Sequence, residues 1–430
     1  MQISVIGTGY VGLVTAVLMA ELGHRVYGVD IDEKKLAKLK KGRSPIYEPG
    51  LEKLLVKNLD RNRLSFSSSY EKAIPSSDVI FVCVGTPPLP DGSYDPKFVF
   101  SALESVAKNL KKYAVVVIKS TVPPSIGPSL KKIMDKNTSV SYDLASVPEF
   151  LREGSAVRDA FHPDRIVIGA SSDKAKTILL KVHEKLPGER IIGDMLSAQL
   201  VKYAANAFLA TKISFINSLA ILADKIGADI DTVVDGFGSD HRIGKSFLQA
   251  GLGYGGSCFP KDTHALISYS DSLGYDFSFL KQVDRINDKQ IDYFVVKIKN
   301  MLGSLKNKTI AILGLAFKAE TDDMREARSI LLINKLYKLG AKLRVFDPVA
   351  MANAKAILKS KQLYFAKNEY DCAKQADVLC LVTEWPQFKK LDFGKIKKHM
   401  KKAIIVDGRN FLPKEKLKKM GFSYEGIGRR

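Results

Sequence analysis

Gln2-Ile-Ser-Val-Ile-Gly-Thr-Gly-Tyr-Val-Gly12 is the stretch that decides the fold. An apolar strand pattern leads into a Gly-x-Gly-x-x-Gly turn, a helical pattern follows, and a second strand pattern closes on Asp30. The glycines permit a tight turn and the close approach of a pyrophosphate, which the helix N-terminus then faces. An acid about 20 residues after the turn is placed to bind a ribose 2′-hydroxyl. This arrangement predicts a βαβ unit that binds NAD.

Two further apolar runs, at residues 78–87 and 114–124, predict buried parallel strands of the same sheet. The loops at their carboxyl ends contain Thr86 and Thr121. Ligands of open α/β sheets bind at this end of the strands. Both threonines are therefore candidates to face the cofactor, although an ordinary cap or turn hydroxyl explains each of them equally well.

The same pattern returns near the C-terminus. Residues 309–347 again run strand, glycine turn, helix and strand, closing on Asp347, but Gly314-Leu-Ala-Phe lacks the three-glycine fingerprint. We expect a second Rossmann-like domain that binds something other than a dinucleotide. Between the two patterns, residues 195–226 are apolar, rich in alanine and free of proline and glycine, which predicts one long helix. Its small residues would also let a partner helix approach closely.

These patterns predict an α/β protein with two doubly wound Rossmann-like domains joined by a long central helix. We expect an N-terminal NAD-binding domain at residues 1–194. A central helical domain at 195–302 would carry the dimer contacts and a cysteine loop. A C-terminal domain at 303–430 would bind the second ligand.

The composition is that of a soluble multi-domain enzyme. The net charge is +21, but the lysines are scattered and no short run combines arginines with aromatics, so we expect no nucleic-acid partner. Four cysteines without CxxC spacing indicate neither a metal site nor a disulfide framework. We expect no window apolar enough to cross a bilayer, no membrane partner and a cytoplasmic location.

Gly253-Tyr-Gly-Gly-Ser-Cys-Phe-Pro-Lys-Asp262 places one cysteine in a glycine-rich loop beside a cation and a carboxylate. We expect Gly253, Gly255 and Gly256 to let the backbone take left-handed angles and approach a ligand closely. Pro260 suits the first turn of a helix, and a thiol at a helix N-terminus gains thiolate character. A cysteine is more commonly a buried packing residue. The neighbours of Cys258 nevertheless favour a nucleophile.

Two pairs of polar residues at helical spacing accompany this loop. Lys202 and Asn206 point the same way on the long apolar helix, where a buried lysine is costly unless it is paired or functional. Glu149 and Glu153 share a face if their segment forms a helical turn. A charged helix start explains these two acids without any chemistry.

Together these motifs resemble the UDP-glucose/GDP-mannose dehydrogenase family over nearly the whole chain. The matching segments are GTGYVG at 7–12, VGTP at 84–87, KSTVPP at 119–124, PEFLREG at 148–154, LVKYAANAF at 200–208, GYGGSCFPKD at 253–262 and GLAFK at 314–318. The resemblance implies that a homodimer oxidises the C6 hydroxymethyl of a nucleotide sugar to a carboxylate with two NAD molecules. UDP-glucose is the expected sugar, and GDP-mannose or another UDP-sugar is the alternative. A catalytically silent binding protein is the alternative from a different class.

The resemblance also assigns roles to individual residues. Cys258 would carry a thiohemiacetal and then a thioester, Lys202 and Asn206 would stabilise oxyanions, and Asp262, Glu149 and Thr121 would position or deprotonate water. Asp262 could instead tune Lys202. The implied cofactor contacts are Gly7, Gly9, Tyr10, Val11, Gly12, Asp30, Lys35, Thr86, Thr121, Glu153 and Arg325. The implied contacts to the nucleotide sugar are Glu149, Phe150, Leu151, Glu153, Lys202, Asn206, Arg242, Phe247, Leu248, Tyr254, Gly255, Phe317, Lys318 and Arg409, with Arg242 reaching across a dimer interface.

Overall fold

The first sheet is built outward from the predicted βαβ unit. A computed structural model describes residues 1–359 and 363–429. Its first eight strands are β1 (Gln2–Ile6), β2 (Arg25–Val29), β3 (Leu64–Ser67), β4 (Val79–Val82), β5 (Ala114–Ile118), β6 (Tyr142–Ser146), β7 (Arg165–Ala170) and β8 (Glu189–Gly193). They form one sheet in the order β3-β2-β1-β4-β5-β6-β7-β8, in which only the β6–β7 pair is antiparallel.

Helices cover both faces of this sheet because its central strands are apolar at every position. In β4, Val79 and Phe81 pack into one core cluster, whereas Ile80 and Val82 pack into the cluster on the opposite face. The helices of this part of the chain are α1 (Tyr10–Glu21), α2 (Glu33–Lys40), α3 (Leu51–Asp60), α4 (Tyr70–Ala73), α5 (Lys97–Asn109), α6 (Gly127–Asn137), α7 (Ala156–Phe161) and α8 (Asp173–Val182). The strand order reverses between β1 and β4, which is where such sheets bind ligands.

Four helices follow this sheet along the chain. They are α9 (Met195–Ile226), α10 (Ile230–Gly238), α11 (Phe259–Ser272) and α12 (Ser278–Leu302). The long helix α9 is continuous over 32 residues, or roughly 48 Å at 1.5 Å per residue. The prediction of one unbroken helix at this place is confirmed.

The second sheet repeats the order of the first. Its strands are β9 (Thr309–Leu313), β10 (Lys342–Phe346), β11 (Leu363–Phe365), β12 (Val378–Leu381), β13 (Ile404–Asp407) and β14 (Ser423–Glu425), paired in parallel in the order β11-β10-β9-β12-β13-β14. Its helices are α13 (Arg328–Lys338), α14 (Met351–Ile357), α15 (Glu369–Ala373), α16 (Phe393–His399) and α17 (Lys414–Lys419). The predicted fold class, two Rossmann-like domains joined by a long helix, is confirmed.

The internal repeat extends to side chains. Asp78 precedes β4 and accepts a hydrogen bond from the first amide of β1, at Gln2, over 2.9 Å. Asp377 precedes β12 and accepts from the first amide of β9, at Thr309, over 2.8 Å. The same carboxylate therefore ties the first and fourth strands of each sheet together.

By internal contacts the chain forms two compact units. The first comprises Met1–Ala205 and His264–Gly274, and the second comprises Asn206–Thr263 and Tyr275–Arg430. The chain passes from one unit to the other within α9, again within α11, and a third time between Gly274 and Tyr275. The division at 1–194, 195–302 and 303–430 stays a prediction.

The expectation that no window of the chain is apolar enough to cross a bilayer is wrong. Among the described residues, α9 is long and apolar enough to cross a bilayer by length and composition, with a mean hydropathy of 1.4 over its most apolar window. Alanine, leucine, isoleucine and phenylalanine dominate the helix, and its few charges leave such a window. The core helix of a soluble protein passes the same test, so the finding is weak evidence for a membrane span.

Candidate active site

The glycine turn of the first unit leaves room for a phosphate at one position only. A Cβ on Gly12 would lie 1.8 Å from the carbonyl oxygen of Gly7, and one on Gly7 would lie 2.9 Å from that of Cys83. Gly9 precedes the first residue of α1, and no atom lies within 4 Å of the place where its Cβ would be. Gly7 and Gly12 therefore serve chain packing, whereas Gly9 opens space at the helix N-terminus for an anion.

Asp30 at the end of β2 is prepared as a hydrogen-bond acceptor. Burial raises the pKa of its carboxyl group, but hydrogen bonds from Lys35, from the Asp32 amide and from Thr8 together hold that pKa below the ordinary value. Lys35 Nζ lies 2.8 Å from Asp30 Oδ2. A ribose hydroxyl would thus meet an ionised carboxylate, as the sequence predicts for NAD.

Lys202 and Glu149 form a buried ion pair in the first unit. The Lys202 Nζ to Glu149 Oε1 distance is 3.0 Å, and the two side chains are 5% and 8% exposed. Burial raises the pKa of Glu149, but the charge and hydrogen bond of Lys202 and the amide of Leu151 hold it below its ordinary value. The buried lysine that α9 was predicted to carry therefore has a carboxylate partner.

An aromatic ring lies beside Lys202, and the two predicted threonines lie in loops that follow β4 and β5. Lys202 Nζ lies 5.5 Å from the centre of the Phe150 ring, and the Arg165 guanidinium lies 3.9 Å from it. Thr121 follows β5 and is partly buried, and Thr86 follows β4 and is buried. Val11 and Glu153 are partly buried. The predicted residues of the first unit thus lie in loops and helix starts that follow β1, β2, β4, β5 and β6, apart from Lys202, which lies on α9.

Glu48 is a buried carboxylate that was not predicted from the sequence. Its Oε2 accepts hydrogen bonds from the Tyr10 hydroxyl and from the Gly154 amide, the latter over 2.7 Å, and its Oε1 accepts from the Val157 amide over 3.3 Å. Glu48 lies in the loop between α2 and α3, far from its partners in sequence, so no local pattern could have revealed it.

In the second unit, Cys258 immediately precedes α11 and is the one cysteine among the described residues that is not buried. Its carbonyl accepts the amide of Asp262 over 2.8 Å, which starts the helix. Burial raises the pKa of the Cys83 and Cys372 thiols to about 12. Burial also raises the pKa of the Cys380 thiol. Accessibility and its position at a helix N-terminus make Cys258 the candidate nucleophile among the four cysteines.

The glycines before Cys258 do not open space for a ligand. Gly253 and Gly256 have the positive φ that the sequence predicts, at +88° and +84°. However, a Cβ on Gly255 would lie 2.1 Å from the Glu326 carbonyl oxygen, and one on Gly256 would lie 2.6 Å from the Phe317 ring. The expectation of close ligand approach at these two positions is therefore corrected: they let the loop pack against the 317–326 segment.

Three buried amide side chains fasten the start of this loop. Asn217 on α9 accepts the Gly251 amide over 2.8 Å, and Gln290 on α12 donates to the Gly251 carbonyl over 2.8 Å. Asn287 on α12 accepts from the Tyr254 amide over 2.8 Å and donates to the Tyr254 carbonyl over 3.1 Å. These side chains replace the backbone partners that a strand or helix would supply.

Asp262 joins two donors in the first turn of α11. Its Oδ2 accepts from Asn206 Nδ2 over 2.6 Å, and its Oδ1 pairs with Lys261 Nζ at 2.5 Å. Asp262 and Asn206 are buried. The lysine next to it in sequence was not predicted as a partner, because neighbouring residues in a helix normally point apart.

The structure gathers several predicted sugar-binding residues of the second unit. Arg409 donates from Nη1 to the Gly253 carbonyl over 3.1 Å and from Nη2 to the Phe317 carbonyl over 3.4 Å. Lys318 Nζ lies 5.6 Å from the centre of the Phe317 ring. The Tyr254 phenol is buried, which raises its pKa, and packs edge-on against Phe259.

The remaining predicted residues of this unit lie less close together. Phe247 has a φ of +64° and its ring centre lies 6.3 Å from that of Phe259, and Leu248 is buried. Arg242 pairs with Asp240 and is 78% exposed. Arg325 pairs with Asp323 and is 62% exposed.

The second Rossmann-like domain has an acid, Asp347, where the first has Asp30, but groups of the chain itself already donate hydrogen bonds to both of its carboxylate oxygens. Asp347 accepts hydrogen bonds from the amides of Leu315, Ala316, Val349 and Ala350 and from Trp385 Nε1. Its side chain is completely buried. Asp347 is therefore not available for the role that Asp30 is predicted to have in the first unit.

Comparison with known proteins identifies the family. Three domain models of the UDP-glucose/GDP-mannose dehydrogenase family match the chain: the NAD binding domain at residues 1–187, the central domain at 196–289 and the UDP binding domain at 311–414. The chain belongs to this family. As a member of the UDP-glucose/GDP-mannose dehydrogenases it is an oxidoreductase that uses NAD.

Relatives and solved structures agree with this identification. UDP-glucose 6-dehydrogenase TuaD of Bacillus subtilis is 44% identical over 100% of this chain and 93% of its own length. A UDP-glucose dehydrogenase structure from Pyrobaculum islandicum is 40% identical, with a TM-score of 0.93 over 100% of this chain and 98% of that one. A GDP-mannose dehydrogenase from Pseudomonas aeruginosa is 30% identical, with a TM-score of 0.55 over 99% and 100%. In residues 1–359 and 363–429, no group of three or more His, Cys, Asp or Glu is arranged to hold a metal ion.

Proposed function

We propose that this dehydrogenase converts UDP-glucose to UDP-glucuronate. The observation that carries the proposal is the accessible Cys258 at the start of α11, followed one turn later by the buried Asp262–Asn206 pair. The substrate follows from the relatives, since TuaD is named for UDP-glucose and matches the whole chain. The higher TM-score of the UDP-glucose dehydrogenase structure disfavours GDP-mannose.

The reaction balances as one alcohol, two NAD⁺ and one water giving one carboxylate, two NADH and three protons. Loss of a hydride and a proton turns the C6 alcohol into an aldehyde. The Cys258 thiolate adds to the aldehyde carbon, and the resulting thiohemiacetal loses a second hydride and a proton to become a thioester. Water then displaces the thiolate and leaves the carboxylate.

The residues of the chain support these steps through charge and position. Lys202 and Asn206, one turn apart on α9, stabilise the oxyanions at C6. Asp262 orients Asn206 through its 2.6 Å hydrogen bond. Glu149, Thr121 and Asp262 bind the hydrolytic water and take its proton. Lys261 neutralises part of the charge on Asp262.

NAD supplies the hydride acceptor for both oxidations when it is bound. The open space at Gly9 fits its diphosphate, and the ionised Asp30 fits its adenosine ribose. Tyr10, Val11, Lys35, Thr86, Glu153 and Arg325 complete the proposed contacts. On the sugar nucleotide side we assign Phe150, Leu151, Phe247, Leu248, Tyr254, Gly255, Phe317, Lys318 and Arg409.

We further propose a cytoplasmic homodimer assembled through α9. Large apolar side chains of this helix stand half or more exposed, although water is a poor solvent for them. They are Leu196 (54%), Phe208 (64%), Phe215 (52%), Leu222 (50%) and Ile226 (69%). A second copy of the helix would cover this stripe. In such a dimer the exposed Arg242 is available to the partner's substrate.

Counting NADH formed per sugar consumed tests the substrate and the chemistry together. UDP-glucose and GDP-mannose are offered separately to the purified enzyme with excess NAD. The proposal expects two NADH per UDP-glucose and slow or no turnover of GDP-mannose. One NADH per sugar, or preference for GDP-mannose, contradicts it.

A further inference from the structure

Glu48 connects two segments that carry ligand-binding residues. On one side its carboxylate accepts the hydroxyl of Tyr10, the first residue of α1 beyond the open Gly9. On the other side it accepts the amide of Gly154 over 2.7 Å, and that amide also lies 2.9 Å from the Tyr10 hydroxyl oxygen. The three groups therefore form a closed hydrogen-bonded triangle.

The segment on the second side is the one that carries Glu149 and Glu153. Gly154 has a φ of +81°, which L residues rarely adopt, and the following helix α7 starts at Ala156. The amide of Val157, in the first turn of α7, donates to the other oxygen of Glu48. One carboxylate thus fixes both the turn at Gly154 and the start of the next helix.

The burial of Glu48 calls for such donors. The residue is 7% exposed, and a buried carboxylate is costly unless hydrogen bonds compensate for its lost hydration. If the residue at this position served only the loop before α3, its side chain could be exposed and would avoid this cost. The Glu48 carboxylate is instead buried between Tyr10, which follows the glycine turn, and Gly154, which follows Glu149 and Glu153 in the chain.

We propose that Glu48 is a positioning residue: it fixes the position of the turn at Gly9 and Tyr10 relative to the Glu149–Lys202 pair. The inference rests on the proposed function, because these two segments would hold the hydride acceptor and the C6 carbon. Hydride transfer is sensitive to small errors in alignment: a shift of about 1 Å can lower a rate about 100-fold. Glu48 touches neither reactant in this scheme and acts through Tyr10 and Gly154.

The test compares Glu48→Gln with Glu52→Gln. Glu52 lies in the adjacent helix α3 and accepts the Ser44 amide of the same loop over 3.0 Å, so it is a matched carboxylate outside both ligand segments. For Glu48→Gln we expect kcat to fall about 10- to 100-fold. We expect KM for NAD to change less than about threefold, because Gly9 and Asp30 remain.

The primary isotope effect with C6-dideuterated UDP-glucose separates positioning from simple loss of stability. If alignment is lost, hydride transfer becomes slower than the other steps, and the isotope effect on kcat rises in Glu48→Gln but not in Glu52→Gln. Tyr10→Phe removes one hydrogen bond of the triangle and keeps the carboxylate, so it provides the same reading should Glu48→Gln fail to fold. We expect Tyr10→Phe to raise the isotope effect as well.

The outcomes distinguish this inference from the proposed function. If the wild type makes two NADH per UDP-glucose and both Glu48→Gln and Tyr10→Phe keep the wild-type isotope effect, Glu48 is not a positioning residue. If KM for NAD rises in step with the fall in kcat, Glu48 serves cofactor binding alone and the inference is overturned. Failure of the wild type to oxidise UDP-glucose refutes the proposed function instead.

Discussion

Replacing Lys202 by alanine should destabilise the protein strongly as well as slow catalysis. Lys202 faces Glu149 at 3.0 Å, with both side chains less than a tenth exposed. Removing one member of a buried ion pair deprives the other charge of its main partner, which typically costs about 3–5 kcal/mol. At about 2–4 °C per kcal/mol for a unit of this size, the melting temperature should fall by roughly 6–20 °C.

The loss of stability should depend on pH in a defined direction. In the wild type the pKa of Glu149 is lowered on folding, so the pair contributes stability above the ordinary carboxyl pKa, and this contribution is lost as pH falls through the folded value. In Lys202→Ala, Glu149 is still buried but has lost the charge that compensated its burial most strongly, so the pKa of Glu149 rises. The carboxyl group then takes up a proton as the pH falls. The penalty should therefore be largest at neutral pH and smaller near pH 5.

Urea unfolding of four proteins measures this effect. The wild type, Lys202→Ala, Glu149→Gln and the double variant form a cycle from which the coupling of the two side chains is obtained. We expect Lys202→Ala to cost about 3–5 kcal/mol at neutral pH and the double variant to cost less than the sum of the single changes. A penalty below about 1 kcal/mol, or one that is the same at both pH values, would refute the buried pair.

Three other features can be tested directly. Iodoacetamide should modify Cys258 alone in the folded enzyme, because the other three cysteines are buried with a raised thiol pKa; peptide mapping that finds a second alkylated cysteine contradicts this. Asn287→Leu leaves the amide and carbonyl of Tyr254 buried without their partner, which should cost about 2–6 kcal/mol for the two groups in urea unfolding and lower kcat as well. An unchanged unfolding curve would contradict this role of Asn287. Phe208→Arg should convert the dimer to a monomer in light-scattering chromatography, whereas Phe279→Arg, at a similarly exposed phenylalanine (60%), should not; equal masses for both variants would remove α9 from the interface.

Local patterns predicted the sheets because their physical cause is local. Every residue of β4 and β5 is apolar and buried, as a strand covered on both faces requires. The turn at residues 7–12 and Asp30 were predicted for the same reason, since strand, turn and acid lie within one βαβ unit. The antiparallel β7 was missed, because the direction of a strand is set by its connection and not by its composition.

The candidate site was predicted as residues but not as contacts. Lys202 and Glu149 were each singled out, yet they lie 53 residues apart in the sequence. No pattern within either segment could predict that the two side chains are in contact. Glu48 and Asn287 were not predicted, because their importance comes from the groups that folding brings to them. Lys261 was noted as the cation beside Cys258, but its contact with Asp262 was not predicted. The role of the glycines before Cys258 was misread for the same reason: a glycine in a sequence does not tell whether a ligand or a carbonyl group fills the space beside it.

The central claim is that Cys258 carries the sugar between the two oxidations, and rapid-quench mass spectrometry of the enzyme during a single turnover tests it most directly. With UDP-glucose and NAD, the account predicts a transient adduct on the peptide that contains Cys258, removed by hydroxylamine as a thioester is, and absent from Cys258→Ala. A Cys258→Ala variant that still forms UDP-glucuronate at the wild-type rate would contradict it.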